Sequence, residues 1–461
     1  MFQNMKEFCS SLREKYRSRA VFWYCEGDRQ VEITYNRFLN DVGQVQRHFE
    51  NLGIYGKKVC LREKNSYMWL VSFFAVVLSG NIAVLVDEGL KEDEAEARLR
   101  TVQCGYLMRL QKREDQLESF MTQFDKNDPG YESPKGEQAS VIIFTSGTTG
   151  EFKAVVLSQK NLANAVINEM NECRYQRWML LLPLHHSLAL NALITTLTAG
   201  GTLGLNLNLK YLYRDMLCFC PELVFTVPSY LKSFLHRMNK TPMRKIQEIL
   251  GCRIQAVLSG GGQLDEETAK DIQAQGLKIY SSYGSTETFC IAGGCISGKA
   301  GDVGKVCNHI KTRTVDGEIM VRGITVALGY YGMKSDAFYD GWYHTGDLGY
   351  VAGDGRLYLT GRKKNLIILS NGENISPELL ERRLYQIAGV KEVLVYGEDD
   401  RICAEIYTGL GDSENEAVRA KIKEMNRSLQ TFYQIRRIVF RGTEFQKTAL
   451  GKIRRGQDME A

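Results

Sequence analysis

Short apolar runs recur along this chain and alternate with helical or turn-rich segments. From Val59 to Val86 the order is an apolar run, a helical segment ending near Ser79-Gly80 and a second apolar run, the rhythm of a parallel βαβ unit. The same alternation predicts strands at 140–144, 178–182, 223–227, 256–258 and 278–280, each feeding a helical or glycine-rich stretch. Between Gly317 and Leu359 the pattern changes to short strands and turns, in GEIMVRG, DGWYHTGDLGY and GDGRLYL. Beyond GRKKN it predicts a helix, strands at 392–396 and 402–407, a helix at 413–429 and a strand at 437–440. The expected fold is α/β: a large N-terminal domain, residues 1–361, of α/β layers plus a small β-rich section, then a small mobile α+β domain, residues 362–461.

Composition narrows the class. The 461 residues exceed one ordinary core, and 44% hydrophobic with 25% charged residues excludes a disordered or fibrous chain. The net charge of +5 comes from 59 basic and 54 acidic residues spread along the length, which gives no nucleic-acid arm. Twelve cysteines form no framework, and Cys218 and Cys220 lack CxxC spacing, so free thiols in a reducing cytoplasm are expected. Residues 1–20 carry charges throughout, unlike a secretory signal. The longest apolar stretch, 69–86, is broken by Ser72, Ser79, Gly80 and Asn81 and predicts a helix, a stop and a strand rather than a membrane span.

Residues 140–158, SVIIFTSGTTGEFKAVVLS, run an apolar strand into a loop of Thr145, Ser146, Gly147, Thr148, Thr149 and Gly150, then Lys153 and a further apolar run. Such a loop brings amides, hydroxyls and an ammonium to phosphate oxygens, although a tight turn between strands would look alike. The glycine and lysine spacing excludes a Walker A loop.

TSGTTG with Lys153 resembles the signature loop of the adenylate-forming superfamily, which includes acyl-CoA synthetases, luciferases and peptide-synthetase adenylation domains. YGSTET (283–288), GEIMVRG, YHTGDLG (343–349), GRKKNLIILSNGENISPELLE (361–381) and QKTALGKIRR (446–455) resemble later motifs of that family in its order, so the likeness spans nearly the whole chain. The chain departs from the pattern at Phe152 and Gln446, where the family usually has proline, and at Ala154, where it has glycine.

The resemblance implies an acid–thiol ligase using ATP, Mg²⁺ and coenzyme A, or a separate acyl carrier protein in its place, with a small-molecule carboxylic acid as substrate. A carboxylate attacking a phosphate brings two anions together, which repel by about 4 kcal/mol at 4 Å and an effective dielectric near 20, so fixed cations are needed. Lys452 falls at the family's catalytic lysine and Lys364 at its hinge. Glu287, with Thr149, falls at the metal position. Asp347 would hold the ribose hydroxyls and Arg362 the ribose or phosphate. Tyr283 would face adenine, with Gly261, Ser282, Gly284 and Thr286 around the nucleotide. On residue type alone, a solvated lysine, a surface carboxylate, a turn-forming aspartate and a buried structural tyrosine are the competing readings.

His186, in LHHS, falls at the family's gate beside the acyl site, and 259–262 (SGGG) resembles the wall between acyl pocket and adenine. On a strand His185 and His186 would point apart. Residues 181–213 contain no Asp or Glu, which disfavours an amino-acid substrate whose ammonium would need a partner, and favours a fatty or aryl acid. The string SNGENISPELLE is nearest to bacterial fatty-acyl-CoA synthetases. A non-catalytic nucleotide-binding protein is the reading from another class.

Overall fold

The computed structural model describes residues 1–113, 116–123, 128–133, 136–146, 152–167, 170, 175–231, 254–262, 264, 266–370, 373–447, 453 and 455. Gly147, Thr148, Thr149, Gly150 and Lys452 lie outside them.

The predicted βαβ unit is present as strand Lys58–Leu61, helix Tyr67–Leu78 and strand Ile82–Leu85, the two strands pairing in parallel. Ser66 caps the helix by accepting from the Trp69 amide, and Gly80 follows its C-cap at φ +75°. These strands belong to a seven-stranded sheet that also contains Ala139–Ser146, Phe152–Ser158 and Gly329–Tyr330.

The larger sheet has fourteen strands among the described residues. Its centre is parallel: Lys278–Tyr283, Ala256–Gly260, Leu223–Thr226, Arg177–Leu180, Thr202–Leu205 and Ala20–Glu26 lie side by side in that order. Continuous Val, Ile, Leu and Phe runs suit strands covered on both faces. The β-rich section predicted as a separate feature extends this sheet through antiparallel pairs from Ala292–Cys295 to Ile310–Val315. One apolar cluster joins both sheets and the Tyr67–Leu78 and Ser187–Ala199 helices, whose apolar residues continue round the helix, as buried helices require.

The C-terminal part has its own apolar cluster, from Ile367 to Ile435, around strands Glu392–Glu398, Arg401–Tyr407 and Ile435–Arg441 and helices Pro377–Tyr385 and Asp412–Arg427. Pro377, whose missing N–H costs nothing in the first helical turn, starts the helix that docks on strand Arg356–Arg362. There Ser376 Oγ donates to the Thr360 carbonyl at 2.9 Å and Arg382 Nη2 to that of Leu359 at 3.0 Å. No described helix is long and apolar enough to cross a membrane.

Candidate active site

The sheet's parallel strands end in loops, and two of those ends bring the motifs together. Strand Lys278–Tyr283 delivers Ser282 and Tyr283, and its partner Ala256–Gly260 delivers the glycines, with Gly261 at φ +71°. The chain then turns sharply through 284–289. A Cβ on Gly284 would stand 1.7 Å from the Phe289 carbonyl oxygen, so only glycine fits there. The turn is fastened by the Ile291 amide donating to the Tyr283 carbonyl at 2.7 Å and by Ser285 N donating to Thr288 Oγ1 at 3.0 Å.

Asp347 sits on strand Trp342–Val351, beside Arg362 of the neighbouring strand. Tyr283 Oη donates to Asp347 Oδ2 at 2.7 Å, and Arg362 Nε lies 2.6 Å from Oδ1. The Asp347 amide donates to Thr345 Oγ1, which itself donates to the Ile319 carbonyl. Tyr283 is therefore held by its hydroxyl, and burial, then the Asp347 charge, pushes that hydroxyl's pKa up.

Glu287 is 8% exposed and accepts from Tyr330 Oη at 2.9 Å through Oε1. Thr286 Oγ1 is 3.3 Å from Ser187 Oγ, which ties the turn to the start of the Ser187–Ala199 helix. Lys153 is the second residue of its strand, opposite Thr145, and its ammonium lies 4.9 Å from the centre of the Tyr330 ring. Phe152 and Ala154 are accommodated as strand residues: Phe152 pairs with Ser146 and packs edge-on to Phe144 at 5.7 Å, while Ala154 is buried opposite Phe144.

The histidine pair corrects the expectation from sequence. His185 and His186 are not on a strand pointing apart; the preceding strand ends at Leu180, and His186 is the N-cap of the following helix. Pro183 causes the difference: the His186 amide donates to its carbonyl in a turn, which swings both rings to one side, 4.3 Å apart. Burial, then the neighbouring His185, lowers the His186 pKa to about 4. His185 Nε2 is 3.8 Å from Asp87 Oδ2.

Lys364 lies in the 3-10 turn Lys363–Asn365, and burial, then the Arg362 charge, lowers its pKa. Two flanking contacts go beyond the sequence expectations. Glu318 accepts from the Gly346 amide at 3.0 Å and from Lys363 Nζ at 2.9 Å, so it braces both sides of Asp347. Arg455, three residues beyond Lys452, grips both Glu381 oxygens at 2.6 Å and donates to the Val395 carbonyl at 3.1 Å. The conjunction of GKIRR with SPELLE is the available signal for that pair; nothing in the sequence around Tyr330 marks it.

The AMP-binding enzyme family matches residues 10–331, and the AMP-binding enzyme C-terminal domain matches residues 364–461. The chain is 29% identical over 397 residues to 2-succinylbenzoate–CoA ligase of Bacillus cytotoxicus, covering 76% of this chain and 77% of that protein. It is also 29% identical over 319 residues to long-chain-fatty-acid–CoA ligase FadD15 of Mycobacterium bovis, covering 56% and 52%. Among solved structures, o-succinylbenzoate coenzyme A synthetase of Bacillus subtilis in complex with AMP superposes with a TM-score of 0.78 at 23% identity, over 98% of each chain. The anthranilate CoA ligase AuaEII bound to anthranoyl-AMP superposes with a TM-score of 0.78 at 20% identity, over 98% of this chain and 96% of that one. With its motifs in order on this shared fold, the chain belongs to the AMP-binding, adenylate-forming enzymes.

Proposed function

We propose that the enzyme joins a fatty or aryl carboxylic acid to ATP as an acyl-adenylate and then transfers the acyl group to the thiol of coenzyme A. In the first step a carboxylate oxygen bonds to the α-phosphorus, and the bond to the bridging oxygen breaks to release pyrophosphate. In the second the thiolate sulfur bonds to the acyl carbon, and AMP leaves with the former carboxylate oxygen. The observation that carries this reading is the convergence of Glu287, Tyr283 and Asp347 beside the strand bearing Lys153.

Asp347 supports ribose binding because Tyr283 and Arg362 fix its plane from two sides, and a carboxylate so oriented can accept two hydroxyls side by side. Arg362 neutralises that carboxylate and would stand beside the phosphates of a bound nucleotide. Lys153 and the TSGTTG string, residues 145–150, would receive the terminal phosphates. Lys452 would stabilise the charge that develops where the two anions meet, and Lys364 would be the pivot between residues 1–361 and 362–461.

The donor set suits a hard cation. Among the described residues, Glu287 commits Oε1 to Tyr330 and accepts no hydrogen bond at Oε2, and no group of three His, Cys, Asp or Glu gathers. Magnesium commonly takes one or two carboxylates and completes its shell with phosphate oxygens and water. Bound there, it would supply charge neutralisation on the phosphates.

The acid is read from two directions. Residues 181–213 offer no carboxylate to a substrate ammonium, and the relatives named above are ligases of 2-succinylbenzoate, anthranilate and long-chain fatty acids. A panel of fatty and aryl acids in a pyrophosphate-release assay, run with coenzyme A, with a phosphopantetheinylated carrier protein and with neither, tests the reading. Acid-dependent pyrophosphate release with thioester formed on coenzyme A is expected. Normal release by Lys452→Ala would remove that lysine from the mechanism, and no release with any acid would overturn the proposal.

A further inference from the structure

Lys153 and Glu287 carry opposite charges and meet Tyr330 from different sides rather than each other. The Lys153 ammonium lies over the Tyr330 ring at 4.9 Å, and the Tyr330 hydroxyl donates to Glu287 Oε1 at 2.9 Å. Tyr330 is 7% exposed, and its ring packs against Phe338 with centroids 5.4 Å apart. Its backbone is equally fixed. Leu328 N donates to the Val156 carbonyl at 2.9 Å, Tyr331 N to that of Ala154 at 2.8 Å, and Ala327 N to that of Glu287 at 2.8 Å. The segment 327–331 is thus laced on one side to the strand that carries Lys153 and on the other to the turn that carries Glu287.

An ammonium and a carboxylate set free beside so buried a ring would pair, because opposite charges attract more strongly at a partly buried site than in water. Paired, the lysine would be lost to phosphate and the carboxylate to a cation. A tyrosine resolves this with one side chain: its face holds the ammonium by cation–π attraction and its edge holds the carboxylate by a hydrogen bond. Phenylalanine supplies the face alone, and an aliphatic residue supplies neither.

We propose that Tyr330 is a positioning residue that keeps Lys153 and Glu287 apart, so that the lysine remains available to the phosphates of ATP and the carboxylate to a divalent cation. The inference rests on the nucleotide and metal reading given above. It assigns Tyr330 no contact with substrate.

The test measures binding as well as turnover. Half-saturation by Mg²⁺ in pyrophosphate release is compared with calorimetric binding of Mn²⁺ together with an ATP analogue that cannot be cleaved between its α- and β-phosphates. Tyr330→Phe is expected to raise half-saturating metal about tenfold and leave the ATP KM unchanged, since a hydrogen bond to a charged group is lost while the ring stays. Tyr330→Leu is expected to raise both. Adding Lys153→Gln to Tyr330→Leu should then return the metal requirement towards that of Lys153→Gln alone, because the competing cation has gone. A Tyr330→Phe enzyme that melts like the parent and keeps the parent's metal binding overturns the inference, as does a double variant no better than Tyr330→Leu. Glu287→Gln separates this failure from that of the reading beneath it: if Glu287→Gln leaves metal binding unchanged, the metal assignment itself falls.

Discussion

The Tyr283 hydroxyl and Asp347 Oδ2 lie 2.7 Å apart although 64 residues separate them in sequence. The bond joins the end of a parallel strand to an antiparallel strand of the same sheet, and Arg362 closes on the other carboxylate oxygen. Replacing Asp347 with asparagine keeps an acceptor for Tyr283 and removes the charge that Arg362 answers. The ATP KM of Asp347→Asn should rise about tenfold, the value of one charge-assisted hydrogen bond, while the KM for the carboxylic acid stays within about twofold. Steady-state kinetics with each substrate varied in turn checks this; a matching rise in both constants would mean that Asp347 serves the whole cleft rather than the nucleotide.

Gly284 is the tightest point of the site. Alanine there would drive a Cβ to 1.7 Å from a backbone carbonyl, which no side-chain adjustment relieves, so the turn bearing Glu287 must open. Gly284→Ala should cost about 2 kcal/mol or more in denaturant unfolding and lose most adenylation. Gly353→Ala, whose Cβ would meet nothing within 4 Å, should stay within about 0.5 kcal/mol of the parent. Similar costs for both would mean that crowding at 284 is relieved elsewhere.

Local pattern carries far in this chain because its elements are uniform. The Val59–Val86 unit, the strand beginning at Leu223 and the C-terminal strand at 392 follow directly from apolar runs and their stops. Pairing does not follow in the same way. That Ala20–Glu26 joins Thr202–Leu205 depends on contacts across nearly two hundred residues, that the strands after Gly317 continue the parallel sheet depends on Arg356–Arg362 pairing with Asp302–Val306, and a strand's composition does not name its neighbour. The site divides likewise. Tyr283, Glu287, Asp347 and Arg362 belong to recognisable strings, whereas Tyr330 acts through a side chain supplied by a segment with no composition to mark it, and Glu318, although within GEIMVRG, braces its neighbours through contacts that the string does not announce. His186 departs from its expected place for a local reason, since Pro183 follows the end of the strand before the histidines begin.

Arg455 offers a handle on the chain around Lys452. Its forked contact to Glu381, a carboxylate nine-tenths buried, and its bond to Val395 fasten the chain just beyond Lys452 to the helix that docks on strand Arg356–Arg362. On the opposite flank, Phe445 N donates to Glu392 Oε2 at 2.8 Å, and Lys447 pairs with Glu392 and bridges to Ile453. Arg455→Ala leaves Glu381 buried and uncompensated, so a loss of about 2–4 kcal/mol is expected. Arg455→Lys keeps the charge but not the fork, and should slow adenylation more than thioester formation from preformed acyl-adenylate. Equal slowing of both half-reactions by the lysine variant would assign the pair a role in stability alone.

His186 and His309 make stability depend on pH in a direction that can be stated in advance. Burial holds each at about 4, below the ordinary histidine value of 6.5, with His185 adding to the effect at His186. Between those two values the unfolded chain binds more protons than the folded one, so acid favours unfolding. Their neutral forms cost nothing above about pH 6.5, and stability falls as the pH drops from there towards 4. Each histidine should contribute about 1–3 kcal/mol to that fall, taking 1.36 kcal/mol per unit as the ceiling and allowing for partial exposure. His309→Asn should therefore flatten the curve of unfolding free energy between pH 6.5 and 4 without changing turnover at pH 7.5. His186→Gln should flatten it comparably and also alter the KM for the acid, because His186 stands at the N-cap position of the helix whose first residue, Ser187, touches Thr286. If both variants reproduced the parent's slope, the acid sensitivity would have to come from the carboxylates instead. Paired acids such as Glu318, held low by Lys363 and the Gly346 amide against the opposing effect of burial, lose stability only below about pH 4.5, so the two origins separate along the pH axis.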